Sequence, residues 1–317
     1  MSELILPRFI VLCNSRLALP GIAALHQHKS LASVACLTRD VEFEVELIHF
    51  TTQAKIPLKI FEKHIWQTQL EEMLVEYKPD AVFVKTFGFK IPSQLFRIPK
   101  WGFINFHYAL LPQYRGSFPL YEVLKRREPY GGISVHYLTD EFDKGPLIMQ
   151  QYVQINEGET YGKHAQNLAD ESAKLTLQLM EMLCDKDVIL PLINQDESLA
   201  AIIARPNTAD LIINWNEMNA QQIVAMILAT NPWSKGAIAY WNNIPVQILF
   251  ARLGKKLDNL YSPGQIIELS QIRGMQVACT NNESIWIDVI YMKEGYLPAF
   301  KLLDYQIAAN TIADKVL

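Results

Sequence analysis

Cysteine is scarce in this 317-residue chain: Cys13, Cys36, Cys184 and Cys279 stand far apart, and no two form a C-x-x-C pair. That spacing fits reduced thiols in a core and gives no thiolate zinc pattern. The seven histidines do not cluster with them, and no metal site is expected. No apolar run approaches the ~18 residues that mark a membrane span. The opening "MSELILPRFIVLCNSR" has neither a basic leader nor a small-residue cleavage site, which predicts a cytoplasmic protein. Positive charge is not in excess. The formal net charge is −4, and from Arg205 onward nine basic side chains face nine acidic ones, so broad nucleic-acid binding is not favoured. The turn after the first apolar run reads "CNSRLALPG", with no G-x-G-x-x-G, and no G-x-x-x-x-G-K-[ST] occurs. A dinucleotide or P-loop phosphate site of the usual kind is thereby excluded. There is no internal repeat and no low-complexity tract.

Half of the residues are apolar, and the length suits two domains with separate cores. "RFIVLC", "LASVACLT", "IPLKIF" and "DAVFVKTFG" read as strands, alternating with helical stretches such as "ALPGIAALHQH" and "IWQTQLEEMLVEY". This alternation predicts an α/β fold, a Rossmann-like, mainly parallel sheet with helices on both faces, whose ligands bind at the carboxyl ends of strands. A helix is expected around Leu120 to Arg127, strands at "GISVHYLT" and "LIMQQYVQI", and a helix from about Tyr161 to Leu183. "CDKDVILPLINQDES" mixes charge, proline and turn residues as a linker does. Beyond it, "NAQQIVAMILAT" reads as a helix, and "GAIAYW", "PVQILFARL", "GQIIEL", "MQVACT" and "SIWIDVIYM" read as short strands of a small, OB-like β-barrel. The expected partition is a catalytic domain over 1–190, a linker over 191–206 and a C-terminal barrel domain over 207–317. Trp233, Tyr240 and Trp241 read as barrel core rather than as a stacking platform.

Three polar residues stand out beside apolar strands: Asn105, His107 and Asp143. Asn105 and His107, in "GFINFHYALLPQYRG", share one face of an extended strand because side chains repeat every two residues. Asp143 lies in "TDEFDKGP", a loop able to fold over a strand end. An amide donor, an imidazole and a carboxylate suit acyl transfer to an amine: two donors meet the charge on the carbonyl oxygen and a base takes the amine proton. No Ser or Cys sits in a nucleophile-elbow pattern, so direct transfer is the simpler scheme. On pattern alone, a lone Asn or His at a strand end is more often hydrogen-bonded structure, Asp143 an ordinary turn acid, and His136 and Tyr137 strand packing. Spacing by itself leaves the function open.

"INFHYALLPQYRG" followed by "GGISVHYLTDEFDKGPLI" resembles the core signature of the 10-formyltetrahydrofolate-dependent formyltransferase family, two-domain and methionyl-tRNA formyltransferase-like. The family's N-x-H, L-L-P, R-G and D-x-G elements match Asn105 and His107, Leu110-Leu111-Pro112, Arg115-Gly116 and Asp143-Lys144-Gly145 in order. "QDESLAAIIARPNTADLIINW" and "ILATNPWSKGAIAYWNNIPVQI" resemble the linker and the start of the second domain.

The resemblance implies an N-formyltransferase with 10-formyltetrahydrofolate as cosubstrate and catalytic Asn105, His107 and Asp143. It places Phe87, Gly88, Phe89, Ile91, Leu110, Pro112, Thr139 and Asp140 around the cosubstrate, and Arg115 toward the substrate. The sequence departs from the pattern at Ala109, where the family has Ser, and at Ser234, where it has a second Pro. Where methionyl-tRNA formyltransferases carry a basic loop, this chain has "RDVEFEVELIHF", a poor surface for an acceptor stem. The amine acceptor is therefore open between methionyl-tRNA, which charge does not favour, and a small amine such as an amino sugar. A hydrolase releasing formate from the same cosubstrate and a non-catalytic folate-binding protein stand as the alternatives.

Overall fold

Five consecutive buried residues make β1 (Phe9–Cys13), the unbroken apolar run needed by a strand covered on both faces. The computed structural model describes residues 6–185 and 187–314; residues 1–5, 186 and 315–317 of the expected domain ranges lie outside the described residues. After β1 come α1 (Leu19–Gln27), β2 (Leu31–Cys36), α2 (Val41–Ala54), β3 (Leu58–Ile60), α3 (Trp66–Tyr77), β4 (Ala81–Lys85) and β5 (Phe103–His107). The order continues with β6 (Arg115–Gly116), α4 (Pro119–Lys125), β7 (Tyr130–Tyr137), β8 (Leu147–Gln154), α5 (Tyr161–Met182) and β9 (Ile202–Ile203).

Seven of these strands form one sheet in the order β3-β2-β1-β4-β5-β7-β8. Its first five strands pair in parallel, and β7 runs antiparallel to β5. The order reverses between β1 and β4, the place where open α/β sheets leave a crevice. Here that crevice is tied by side chains: Asn14 N–H and Ser15 Oγ–H both donate to Thr86 Oγ1, and Asn14 Oδ1 accepts from Leu37 N–H. The polar turn thus does locally what a glycine-rich turn would leave to a phosphate. Helix α2 follows "RD" because the Asp40 carboxylate caps Phe43 N–H at 3.1 Å and Glu42 and Glu44 sit in its first turn, where the helix dipole favours acid.

The chain divides into two compact units, one comprising residues 6–119, 131–154 and 165–203, the other 120–130, 155–164 and 204–314. In the second, α6 (Ala220–Thr230) starts in a capping box between Asn219 and Gln222. Six strands follow: β10 (Ala237–Trp241), β11 (Ile244–Leu253), β12 (Ile266–Ser270), β13 (Gly274–Ala278), β14 (Ser284–Met292) and β15 (Gly295–Pro298). They form an antiparallel sheet in the order β10-β11-β14-β13-β12, with β15 on β14. Its edges are joined by residues 310–314: Asn310 N–H donates to Ile266 O, Ala313 N–H to Gly264 O and Asp314 N–H to Tyr240 O. An open sheet would leave those edge groups unpaired. Trp241 is fully buried and donates Nε1–H to Gly264 O, whereas Trp233 and Tyr240 are half-buried.

Candidate active site

Strand alternation puts Asn105 and His107 on one face of β5 and Phe106 on the other, where Phe106 meets Phe83 and Lys85. The register of the antiparallel neighbour completes the arrangement, since His136 of β7 lies directly opposite Asn105. Asn105 Nδ2–H donates to His136 Nε2 at 3.0 Å, so that nitrogen is the acceptor, and His136 Nδ1–H donates to Tyr137 O at 2.9 Å. Burial, together with the neighbouring His107, pushes the His136 pKa down to about 4. His136 is therefore a neutral imidazole of fixed tautomer.

His107 is 8% exposed, and its Nε2–H donates to Tyr114 O at 2.6 Å. Its other nitrogen, Nδ1, stands 3.5 Å from Asp143 Oδ1. The same oxygen is 3.8 Å from His136 Nε2, too far for a hydrogen bond and without an ionic component while His136 is neutral. The second Asp143 oxygen, Oδ2, accepts from Gly116 N–H at 2.8 Å. One carboxylate oxygen is thus held by backbone, and the other faces two imidazoles, one of which holds the Asn105 amide. Asp143 adopts a left-handed backbone (φ 56°), which Asp tolerates better than most residues.

In front of this group lies a pocket of about 70 Å³ lined by Val84, Phe87, Phe89, Lys90, Ile91, Phe96, Asn105, Leu138 and residues 139–143. Its apolar wall is continuous with the core: Trp66, Phe87 and Phe89 pack on one another with centroids 5.5–5.9 Å apart. Thr139, Asp140, Glu141 and Phe142 form an exposed rim. A Cβ added at Gly88 would meet nothing within 4 Å, so the backbone there is open to an approaching group. A larger cavity, about 600 Å³, lies in the second unit, but Glu159 on its wall is already held by His164 at 2.8 Å and by Asn156.

Most residues singled out by sequence converge here, and some do not. Asn105, His107 and Asp143 meet as expected in space, and Phe87, Phe89, Ile91, Thr139 and Asp140 line the pocket. Gly88, Leu110 and Pro112 are not among its lining residues. Leu110 instead lies beside Gly132 of β7, and the Pro112 carbonyl accepts from Ala201 N–H. Arg115 is 3% exposed, with its guanidinium held by Gln195 and Glu197 at 2.6–3.1 Å. His136, read from sequence as strand packing, is packed and also touches the site; only the β5–β7 register reveals that second role.

Comparison with known proteins agrees with this architecture. The profile of the family described as "Formyl transferase" matches residues 8–180, and that of "Formyl transferase, C-terminal domain" matches residues 207–296. A methionyl-tRNA formyltransferase of Syntrophomonas wolfei is 34% identical over 178 residues, 56% of this chain and 56% of that protein, so the likeness spans little more than half of that relative. One from Dictyoglomus thermophilum is 30% identical over 216 residues, 68% of each chain. Among solved structures, HypX from Aquifex aeolicus in complex with tetrahydrofolic acid has a TM-score of 0.65 at 16% identity, covering 94% of this chain and 47% of that one. The Helicobacter canadensis N-formyltransferase in complex with folinic acid and dTDP-3-aminofucose has a TM-score of 0.67 at 15% identity, covering 89% of this chain and 98% of that one. The structural likenesses speak for the fold alone; the sequence match across both regions places the chain in the formyl transferase family.

Proposed function

We propose that the chain is an N-formyltransferase that moves a formyl group from 10-formyltetrahydrofolate to a primary amine. The observation carrying this reading is the Asp143 carboxylate, which is anchored by Gly116 N–H, faces His107 and His136 and together with Asn105 lines an aromatic pocket. The cosubstrate supplies the activated formyl carbon. The pocket fits its ring in kind: apolar walls from Phe87, Phe89 and Ile91, and open backbone at Gly88. At about 70 Å³ it is tight beside the ~300–1,000 Å³ of typical ligand sites, so the exposed rim 139–142 has to yield on binding.

Asn105 keeps a second amide N–H for the formyl oxygen while its first holds His136. Because His107 Nε2–H is committed to Tyr114 O, the proton this ring offers the oxygen is the one on Nδ1. Asp143 Oδ1, facing that nitrogen, is the oxygen free to take the amine proton, directly or through water, and to return it to the folate nitrogen as the bond from that nitrogen to the formyl carbon breaks and tetrahydrofolate leaves. The buried, preorganised donors act where charge gathers, which is where they are worth most.

For the acceptor we favour a small amine, such as an amino sugar, over methionyl-tRNA. Arg16, beside the segment that replaces the family's basic loop, is ringed by Asp40, Glu42 and Glu46 at 2.6–4.0 Å, an acidic surface that repels phosphodiesters. The names of the sequence relatives point to methionyl-tRNA, which makes the acceptor the decisive measurement. The partition into a catalytic domain over 1–190, a linker over 191–206 and a C-terminal domain over 207–317 goes with this reading, supported by the two profile matches.

Incubation with 10-formyltetrahydrofolate and either charged initiator tRNA or a panel of amino sugars, following tetrahydrofolate release, tests the reading. Release with amino sugars alone is expected. Release with tRNA alone reverses the acceptor, and formate release without any acceptor makes the protein a hydrolase. Asn105→Ala, His107→Ala and Asp143→Ala are each expected to lower kcat on the order of 10²-fold or more; a near-parental rate removes that residue from the chemistry.

A further inference from the structure

The backbone groups that hold the His107 and Asp143 side chains lie two residues apart. Tyr114 O accepts from His107, and Gly116 N–H donates to Asp143. Between them Arg115 points into protein, 3% exposed, and makes four hydrogen bonds: Nε and Nη2 to Gln195 Oε1 at 3.1 and 2.7 Å, and Nη1 and Nη2 to the two Glu197 oxygens at 2.9 and 2.6 Å. Gln195 then spends both amide protons on the other catalytic segment, donating Nε2–H to Asp143 O and to Gly145 O, each at 2.8 Å. The stretch 195–203 also carries the 112–117 backbone, through Ala201 N–H to Pro112 O, Arg115 N–H to Ala201 O and Ser117 N–H to Ile203 O.

Resting on the reading of the active site above, we propose that Gln195 is a positioning residue for the reaction. By bridging the Arg115 guanidinium to the Asp143 and Gly145 carbonyls it fixes where the Asp143 carboxylate stands relative to His107. The chemistry of the bridge requires a primary amide. It needs an acceptor for the guanidinium on one atom and two donors for carbonyls on the other, and no other side chain of this length offers both. The spacing it fixes matters, because Asp143 Oδ1 and His107 Nδ1 are 3.5 Å apart and a shift of about 1 Å either closes the gap on the reacting group or removes the charge from the ring. Residues 191–206, expected from sequence to be a linker, thus include part of the site's frame.

The test reads the ring as well as the rate. In histidine-labelled full-length protein, the change of the His107 ring resonances in Asp143→Asn at fixed pH marks the loss of the neighbouring carboxylate. Gln195→Met, matched in size but without the amide, is expected to move the His107 resonances in the same direction by at least about half as much, to lower kcat roughly 10-fold and to leave the KM for 10-formyltetrahydrofolate within about 2-fold. A Gln195→Met protein with a lower Tm but parental His107 ring resonances and kcat shows a merely structural contact and overturns the proposal. Should Gln195→Met not fold, Gln195→Glu, which keeps the acceptors for Arg115 and loses both donors, must still lose kcat; a parental kcat there also overturns it. If Asp143→Asn itself leaves both rate and ring resonances unchanged, the reading of the active site falls instead.

Discussion

At the scale of single residues, the site and the core contain basic groups whose pKa burial lowers, and this has consequences for stability. His136 has its pKa pushed down to about 4, against about 6.5 in an unfolded chain. Between those values the unfolded state binds more protons, so stability rises with pH across that window. The protein is expected to be fully stable above about pH 6.5 and to lose on the order of 3 kcal/mol as the pH falls to about 4. Urea unfolding of the parent and of His136→Gln across pH 4–7 checks this; equal slopes for both proteins would refute it. Lys85 is also fully buried, with Nζ 2.6 Å from Ser172 Oγ and 3.5 Å from the Phe106 ring centroid, and burial drives its pKa well below the usual lysine range. The lowered pKa costs stability at every pH below the ordinary lysine pKa, a cost that grows as pH falls toward the folded-state pKa. Lys85→Met, which leaves Ser172 with Tyr108 as partner, is expected to raise the apparent Tm by ~2–4 °C at pH 7, measured by calorimetry; a lower Tm would show that the amine holds its surroundings together.

At the scale of elements, the loop between β7 and β8 is held by close backbone approach. A Cβ on Gly145 would stand 1.7 Å from Tyr137 O, where Tyr137 N–H pairs with Pro146 O. No rotamer change relieves a collision between backbone atoms, so Gly145→Ala is expected to destabilise by roughly 2 kcal/mol or more and to lower kcat through displacement of Asp143. Chemical denaturation and turnover of the variant check both effects; parental values in both would mean that the loop does not place the carboxylate. Element legibility varied for definite reasons. The β1 and β4 runs are apolar throughout and read directly as buried strands. Helix α2 is not legible in this way, because "VEFEVEL" alternates apolar and acidic residues with a period of two, although it buries Phe43, Leu47 and Thr51 at helical spacing. Val41 and Val45 on its outer side are left 73% and 61% exposed, which accounts for the misleading alternation.

At the scale of the whole molecule, charge bears on the acceptor. With a net charge of −4 and Arg16 enclosed by carboxylates, catalysis is not expected to rely on phosphate contacts. Formyl transfer to a small amine should keep kcat/KM within about 2-fold between 50 and 200 mM salt, whereas dependence on tRNA phosphates would lower it ~10³-fold or more for six or more contacts. Steady-state kinetics at both concentrations distinguishes the two. Among the described residues no helix is long and apolar enough to cross a membrane.

The sequence alone determined the strands of a mainly parallel sheet and the absence of a glycine-rich phosphate turn, because these follow from periodicity and local motifs, while Asn105, His107 and Asp143 are singled out by the ordered motifs of the family resemblance. Tertiary structure alone decided that His136 joins them, that Nδ1 is the His107 nitrogen facing the carboxylate, and that Gln195 reaches Asp143 from 52 residues away. Those facts depend on strand register and on which groups take up each other's hydrogen bonds, and neither is encoded in local spacing.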